Sequence, residues 1–511
     1  MQLLYSLLLL FPLLAVLGSA VPTRHDYEDD DLDAWLARQT EFAVEGLLAN
    51  ISPEGTMRGV VVAATSRDHP NYWYHWTRDS ALVMSVTNGL YVRSSAGTEA
   101  SQLLQTRMLE FVTLARHLQF PPRNGAEGLG EPKFNVDGTT FTGPWGRPQN
   151  DGPALRALTI IQFAEEYLAR GGDETLLREL LYPAHARWGI KPDLAFVASP
   201  TLGLGLGFDL WEEVKGHFFY TRTVQHAALV AGQRFAATMG DDDSWYWADL
   251  ERARQHLEAA LPNHWSRAHG HIIETLNWAG GVDNKASNLD AATLLAVLHT
   301  RRENGLFSPY SPEIQFTFLR LIDAFESLYP INGEKSDPVG DPLAPALGRY
   351  AEDVYDGYGK SAGNPWVLLT AAAAEYIYAS ITQWLKEGEI TVAPSSARFI
   401  NRVTGNHDDA PLCAFTIPQH DPTFRVLVSN ATRFADSFLN RVRRHAPPDG
   451  RLSEQINRET GFMQGASDLT WSYASIVTAN WAREEVKQQQ ATSSLFRQDN
   501  APDNALPVAV Q

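Results

Sequence analysis

The chain has a single cysteine, Cys413, so no disulfide can form within it and its stability must come from packing. Basic residues are also in deficit. Lys and Arg number 42 against 60 Asp and Glu, a formal charge of −18, which repels phosphate backbones and anionic membrane surfaces. A neutral partner is expected, and no nucleic acid. Beyond the first twenty residues no stretch reaches the ~18 apolar residues of a membrane span. No sequence repeat of fixed period and no nucleotide-binding motif occurs. His407 and His420 flank Cys413 at six and seven residues, a spacing foreign to zinc sites, and read as surface loop. Neither a cofactor nor a metal is expected.

What is present is a globular composition: 44% hydrophobic and 20% charged, with 14 Trp, 17 Tyr and 23 Phe. Aromatics are more abundant than a core requires, and flat aromatic faces suit sugar rings. Residues 1–20 hold an apolar run, Leu7 through Leu17, then Gly18-Ser19-Ala20, whose small residues fit a signal-peptidase site. Cleavage after Ala20 and secretion are expected, with cell wall or vacuole as other destinations; the competing reading is an uncleaved anchor. Residues 21–33 form an acidic leader, and 487–511 a polar tail. Asn50 and Asn430 head sequons, Asn50-Ile51-Ser52 and Asn430-Ala431-Thr432, and are candidate glycosylation sites if they lie on exposed surface.

Between the leader and the tail, over 34–486, helical periodicity recurs twelve times. The expected helices are Ala34–Asn50, Trp76–Tyr91, Glu99–Gln119, Gly152–Arg170, Glu174–Ala198, Thr221–Met239, Ser244–Trp265, Leu289–Thr300, Pro312–Leu328, Pro365–Leu385, Thr423–Val442 and Asp468–Val486. Each even-numbered one is preceded or opened by a segment rich in Trp, Arg, Gly or carboxyls; those before the odd ones are blander. If odd and even helices run antiparallel, the six rich segments gather at one end. That predicts an all-α domain, an (α/α)6 toroid of six inner and six outer helices with its site at one mouth. Asp151, Asp290 and Asp468 have a second reading as plain helix caps.

The chemistry centres on Trp211-Glu212-Glu213. An indole on one side and a carboxyl on the other both raise a carboxyl pKa, as a proton donor in glycoside cleavage requires. Taken alone, the Glu pair also reads as solvated loop charge. In context, Gly207-Phe208-Asp209-Leu210-Trp211-Glu212-Glu213-Val214 resembles the acid motif of the fungal and yeast glucoamylases, glycoside hydrolase family 15. The likeness continues in Trp76-Thr77-Arg78-Asp79-Ser80, in the segment from Gly143 to Pro153, in Arg349-Tyr350 with Glu352-Asp353, in Gly363-Asn364-Pro365-Trp366, and in Leu452-Ser453-Glu454-Gln455 with Asp468 through Tyr473.

The resemblance implies roles residue by residue. Glu212 is the general acid and Glu454 the general base that activates water, giving inversion and β-glucose. Arg78 and Asp79 hold the hydroxyls of the terminal glucose, with Tyr72 and Trp76 packed around the ring and Trp145 over the scissile bond. Arg349, Glu213 and Trp211 serve the next subsite, supported by Asp353 and Trp366, the last of which also reads as a core aromatic at a helix start. The substrates implied are starch, glycogen and maltooligosaccharides, cut at terminal α-1,4 and more slowly α-1,6 bonds by a monomer. Trehalase or glucodextranase activity and non-hydrolytic sugar binding are the alternatives. Many relatives carry a Ser/Thr-rich linker and a starch-binding domain that this sequence lacks, so granular starch is expected to be a poor substrate. The run Gly203-Leu204-Gly205-Leu206-Gly207 is expected to loosen the acid loop.

Overall fold

The computed structural model describes residues 31–120, 125, 127–183, 187–303, 306–405 and 413–492. Fourteen α-helices lie among them: α1 Leu32–Ala49, α2 Thr77–Arg93, α3 Glu99–Gln119, α4 Asp151–Ala169, α5 Glu174–Leu180, α6 Ile190–Ala198, α7 Phe219–Thr238, α8 Ser244–Ala260, α9 Ala292–Thr300, α10 Pro312–Glu326, α11 Val367–Glu387, α12 Ala397–Thr404, α13 Pro422–His445 and α14 Thr470–Thr492. Six of them close a ring. α2 packs on α4, α4 on α7, α7 on α9, α9 on α11, α11 on α14, and α14 back on α2. These are the even-numbered helices of the sequence reading. The outer layer is α3 on α2, α6 on α4, α8 on α7, α10 on α9, α13 on α11 and α1 on α14, which makes the fold the expected (α/α)6 toroid.

The inner helices are buried nearly all round, and their small residues allow this: in α11, Ala371 through Ala374 are all in the core. Eleven short strands decorate the ends: β1 His75–Trp76, β2 Lys133–Phe134, β3 Gly207–Phe208, β4 Lys215–Phe218, β5 Trp265–Ser266, β6 His271–Ile272, β7 Thr275–Leu276, β8 Glu389–Val392, β9 Phe415–Pro418, β10 Gln455–Ile456 and β11 Met463–Gln464. Three antiparallel pairings, β1 with β2, β3 with β4 and β10 with β11, carry the segments that lead into α2, α7 and α14.

Several expected boundaries move. The helix over Glu174–Ala198 is two, α5 and α6, because Pro183 interrupts it and Gly189 takes φ 86° before Ile190 bonds back to the Leu181 carbonyl. α12 was not expected; it is only eight residues long and buries Phe399, Ile400 and Val403. The leader is structured at its end, where Asp31 caps α1 by accepting from the Ala34 N–H at 2.8 Å. The polar tail begins inside α14, where Lys487 pairs with Asp33 at 2.6 Å. Residues 1–30 and 493–511, and His407, lie outside the described residues.

Neither sequon sits on an exposed loop. The Asn50 side chain is buried, and its amide donates to the Asp468 carbonyl at 3.2 Å and to Thr470 Oγ1 at 2.9 Å, so the folded chain has no exit for a glycan there. Asn430 lies half-buried within α13 and donates to the Thr404 carbonyl at 2.9 Å. Among the described residues no helix is long and apolar enough to cross a membrane.

Candidate active site

Glu212 stands at the tip of the β3–β4 hairpin with φ 67°, a left-handed conformation that costs a side-chain-bearing residue about 1–2 kcal/mol. The surroundings hold it there. The Glu212 N–H donates to the Asp209 carbonyl at 2.9 Å, and the Asp209 carboxylate accepts from the N–H groups of Glu213 at 2.7 Å and Val214 at 2.9 Å. Behind the tip, buried Lys285 Nζ lies 3.4 Å from Asp209 Oδ2 and 2.7 Å from Asp290 Oδ2. Asp290 Oδ1 in turn accepts from the Trp211 indole at 2.9 Å. Burial alone would lower the Lys285 pKa; Asp290 and Asp209 raise it, so the ammonium stays charged and pins the hairpin.

The Glu212 carboxyl receives Arg78 Nη2 at 3.1 Å. Arg78 opens the first turn of α2 and also donates through Nη1 to Gln149 Oε1 at 2.8 Å and Asp151 Oδ2 at 3.1 Å, with its Nε 3.6 Å from Asp79. Burial and then the Asp79 charge push the Glu212 pKa up, while Arg78 and Lys133 pull it back; the net direction is upward. Lys133, on β2, is a residue that no sequence signal singled out. Its buried ammonium lies 3.6 Å from the ring centre of Trp145 and 4.2, 4.3 and 4.4 Å from those of Tyr74, Trp76 and Phe141. Burial lowers it to about 8, against the pull of Glu212.

Glu454 precedes β10 on a loop fixed at both backbone groups: its N–H donates to Ala466 O at 2.9 Å and its carbonyl accepts from Val367 N at 3.3 Å. Burial raises its pKa to about 7, opposed by the nearby hydroxyls of Tyr72 and Tyr355 and by the charge of Arg349; its Oε2 accepts from Gln455 Nε2 at 3.2 Å. Gly465 makes room for it, since a Cβ there would lie 2.7 Å from Glu454 Oε2. Tyr355, absent from the sequence reading, meets the Tyr72 hydroxyl at 3.0 Å, and Tyr72 stacks on Trp76 with ring centres 5.5 Å apart. The surroundings of the two carboxyls are therefore continuous.

A third cluster forms on Arg349. Its fork grips Asp353 twice, at 2.7 and 2.6 Å, and reaches Glu213 Oε1 at 2.9 Å; Tyr350 donates to Glu213 Oε2 at 2.7 Å. Its guanidinium lies within reach of the Trp211 and Trp366 rings, themselves 5.5 Å apart. Every residue assigned a sugar-site role from sequence thus falls at one mouth of the ring. Trp145, 37% exposed, forms its lip. Below, Tyr220 meets His299 edge-on and His299 meets Trp471 at a tilt, with ring centres 5.8 and 6.0 Å apart. Asp468 is not part of the site; it binds Arg451, Tyr473 and Thr65.

Arg78 Nε, Asp79 Oδ2, Asp151 Oδ1 and Trp366 Nε1 are buried without a hydrogen-bond partner among the described residues. Donors and acceptors held this way cost about 1–3 kcal/mol each unless a ligand completes them. Two donors and two acceptors among indoles and tyrosines match a polyhydroxylated ring. Together with two buried carboxyls of raised pKa at one mouth of an α/α toroid, they define a glycoside hydrolase. The chain belongs to glycosyl hydrolases family 15, whose profile matches residues 41–481. It is 38% identical to a glucoamylase of Blastobotrys adeninivorans over 90% of this chain and 73% of that one. An intracellular sporulation-specific glucoamylase of Saccharomyces cerevisiae is 34% identical, over 90% and 86%. Among solved structures, glucoamylases from Hypocrea jecorina and Saccharomycopsis fibuligera each superpose with a TM-score of 0.76. They are 33% and 30% identical, covering 89% and 91% of this chain and 73% and 98% of theirs.

Proposed function

We propose that the protein is an exo-acting glucoamylase that removes glucose from the non-reducing ends of starch, glycogen and maltooligosaccharides. The observation that carries this reading is the set of unpartnered buried polar atoms beside Arg78 and Glu212, at a mouth beneath which the rings of Tyr220, His299 and Trp471 meet. A pocket floored by those rings admits a chain terminus and not a chain interior. The terminal glucose packs against the Tyr72–Trp76 pair and gives its hydroxyls to Arg78 and Asp79. Glu212 donates its proton to the bridging oxygen while Trp145 screens that bond from water. As the bond breaks, positive charge grows on the ring, and a water deprotonated by Glu454 attacks the opposite face, giving β-glucose. Arg349 and Glu213 bind the following glucose. The enzyme acts as a monomer, and its apolar leader directs it into the secretory route.

Proton NMR of the anomeric region during digestion of maltoheptaose tests the reading. β-Glucose is expected first; initial α-glucose would refute inversion, and inertness on maltoheptaose with activity on trehalose or dextran would refute the substrate.

The tyrosines around Glu454 give a second expected result. Each hydroxyl stabilises the ionised carboxylate, the form that activates water, so Tyr355→Phe should raise the pKa of Glu454. The acid limb of the pH profile of kcat/KM then moves upward by about 1–2 units, the worth of one hydrogen bond to a charged group. An unmoved limb would mean that Tyr355 does not act on the base.

A further inference from the structure

A small cavity lies beneath the stem of the hairpin that presents Glu212. Both strands line it, together with Gly203 and Gly205 before β3, the start of α7, and His256 and Leu257 of α8. The centre of a water-sized sphere can move over about 10 Å³ within it, space for one water or one monatomic ion and too little for a sugar.

The cavity is lined by one cationic side chain, in a chain whose net charge is −18. That cation is Arg222; His217, whose pKa burial lowers, and His256 line it too, and among the described residues no Asp or Glu does. Arg222 differs from the other guanidinium groups of the ring, because Arg78, Arg156 and Arg349 each grip a carboxylate. Its one protein hydrogen bond among the described residues runs from Nη1 to His264 Nε2, at 3.1 Å. That nitrogen must be the acceptor, since His264 Nδ1 lies 2.6 Å from the Ile273 carbonyl and holds the ring proton. Four of the five Arg222 N–H groups are left without a protein acceptor. Beside it, Thr221 is 7% exposed and its Oγ1 has no hydrogen-bond partner among the described residues, an independent buried donor on the same wall.

We propose that this cavity binds a single small inorganic anion, chloride by its size, and that the ion braces the hairpin carrying Glu212. Arg222 supplies the charge and the Thr221 hydroxyl a hydrogen bond. Gly203, Gly205 and Gly207 offer no side chains to pack here, so the ion takes the place of a small core. The substrate does not enter this site, and its detection does not depend on glucan hydrolysis.

Chloride-35 NMR line broadening at fixed ionic strength, with gluconate as the balancing ion, tests binding. Wild type should broaden the line saturably. Arg222→Gln should abolish that broadening, and Thr221→Val should weaken binding about tenfold, the worth of one hydrogen bond to an ion. Turnover of maltooligosaccharides by wild type should rise at least about twofold when chloride replaces gluconate, and Arg222→Gln should not respond. Broadening that never saturates, or that both variants leave unchanged, overturns the site. Saturable binding without any effect on turnover overturns the bracing role. Should Arg222→Gln fail to fold, the wild-type titration and Thr221→Val decide the question by themselves.

Discussion

Glu212→Gln and Glu454→Gln are each expected to lower kcat on maltoheptaose by about 10²–10⁴-fold, the usual contribution of a positioned acid or base. Both variants should remain folded by circular dichroism. At Glu212 the amide preserves shape and still accepts from Arg78, so the loss isolates the proton. A near-wild-type rate in either variant would place the chemistry elsewhere. The Glu454 variant carries a second signature. Because burial raises Glu454 to about 7, above the 4.5 of an unfolded chain, the folded state keeps a proton that the unfolded state has released. Its contribution to stability is complete below about pH 4.5 and is lost as pH rises toward 7. Glu454→Gln has no proton to lose, and at pH 8 should be the more stable protein by roughly 2–4 kcal/mol. Melting curves across pH 4 to 8 should therefore diverge between variant and wild type.

Arg349→Leu should have the largest effect on the fold. It strands Asp353, whose side chain is 1% exposed, and frees Glu213 from the charge that orients it. Leaving a buried carboxylate without its partner costs about 3–5 kcal/mol. A melting temperature lower by several degrees is expected, together with a larger rise in KM for maltotriose than for substrates bound mainly at the terminal subsite. Arg349→Lys keeps the charge but cannot grip Asp353 with two nitrogens, so an intermediate loss is expected. If Arg349→Leu melted with wild type, the cluster would be dispensable.

The toroid was legible because one signal repeated: alternate helix starts rich in Trp, Arg and carboxyls, which had to converge if neighbouring helices ran antiparallel. The ring closes through those helices. The break between α5 and α6 was harder to read, since Leu181 and Ile190 lie in an otherwise periodic segment and only Pro183 and Gly189 mark the interruption. In the site, Glu212 carried local evidence in its neighbours. Glu454 had none, because what raises its pKa is tertiary: burial, with Tyr72 drawn from far away in the chain and Tyr355 across a loop. Lys133 was invisible for the same reason. Its four aromatic neighbours include Tyr74 and Trp76 before it and Phe141 and Trp145 after it, and nothing in Glu131-Pro132-Lys133-Phe134 announces a cage. The Asn50 sequon misled in the opposite direction, since a three-residue pattern carries no information about the core into which its amide turns.

A ring built from one chain is open until its last member arrives. Here α14 must dock on α2 and α1, and Asp33 near one end of the described chain pairs with Arg483 and Lys487 near the other. During synthesis the apolar inner face of α2 therefore waits, exposed, for a helix made nearly four hundred residues later, the high-contact-order situation in which slow folding and aggregation compete. Tyr72 meets Glu454 only across that same seam. Hydrolysis is thus a report on closure: a nascent or truncated chain short of α14 can be largely helical and still inert, with activity arriving in a single late step.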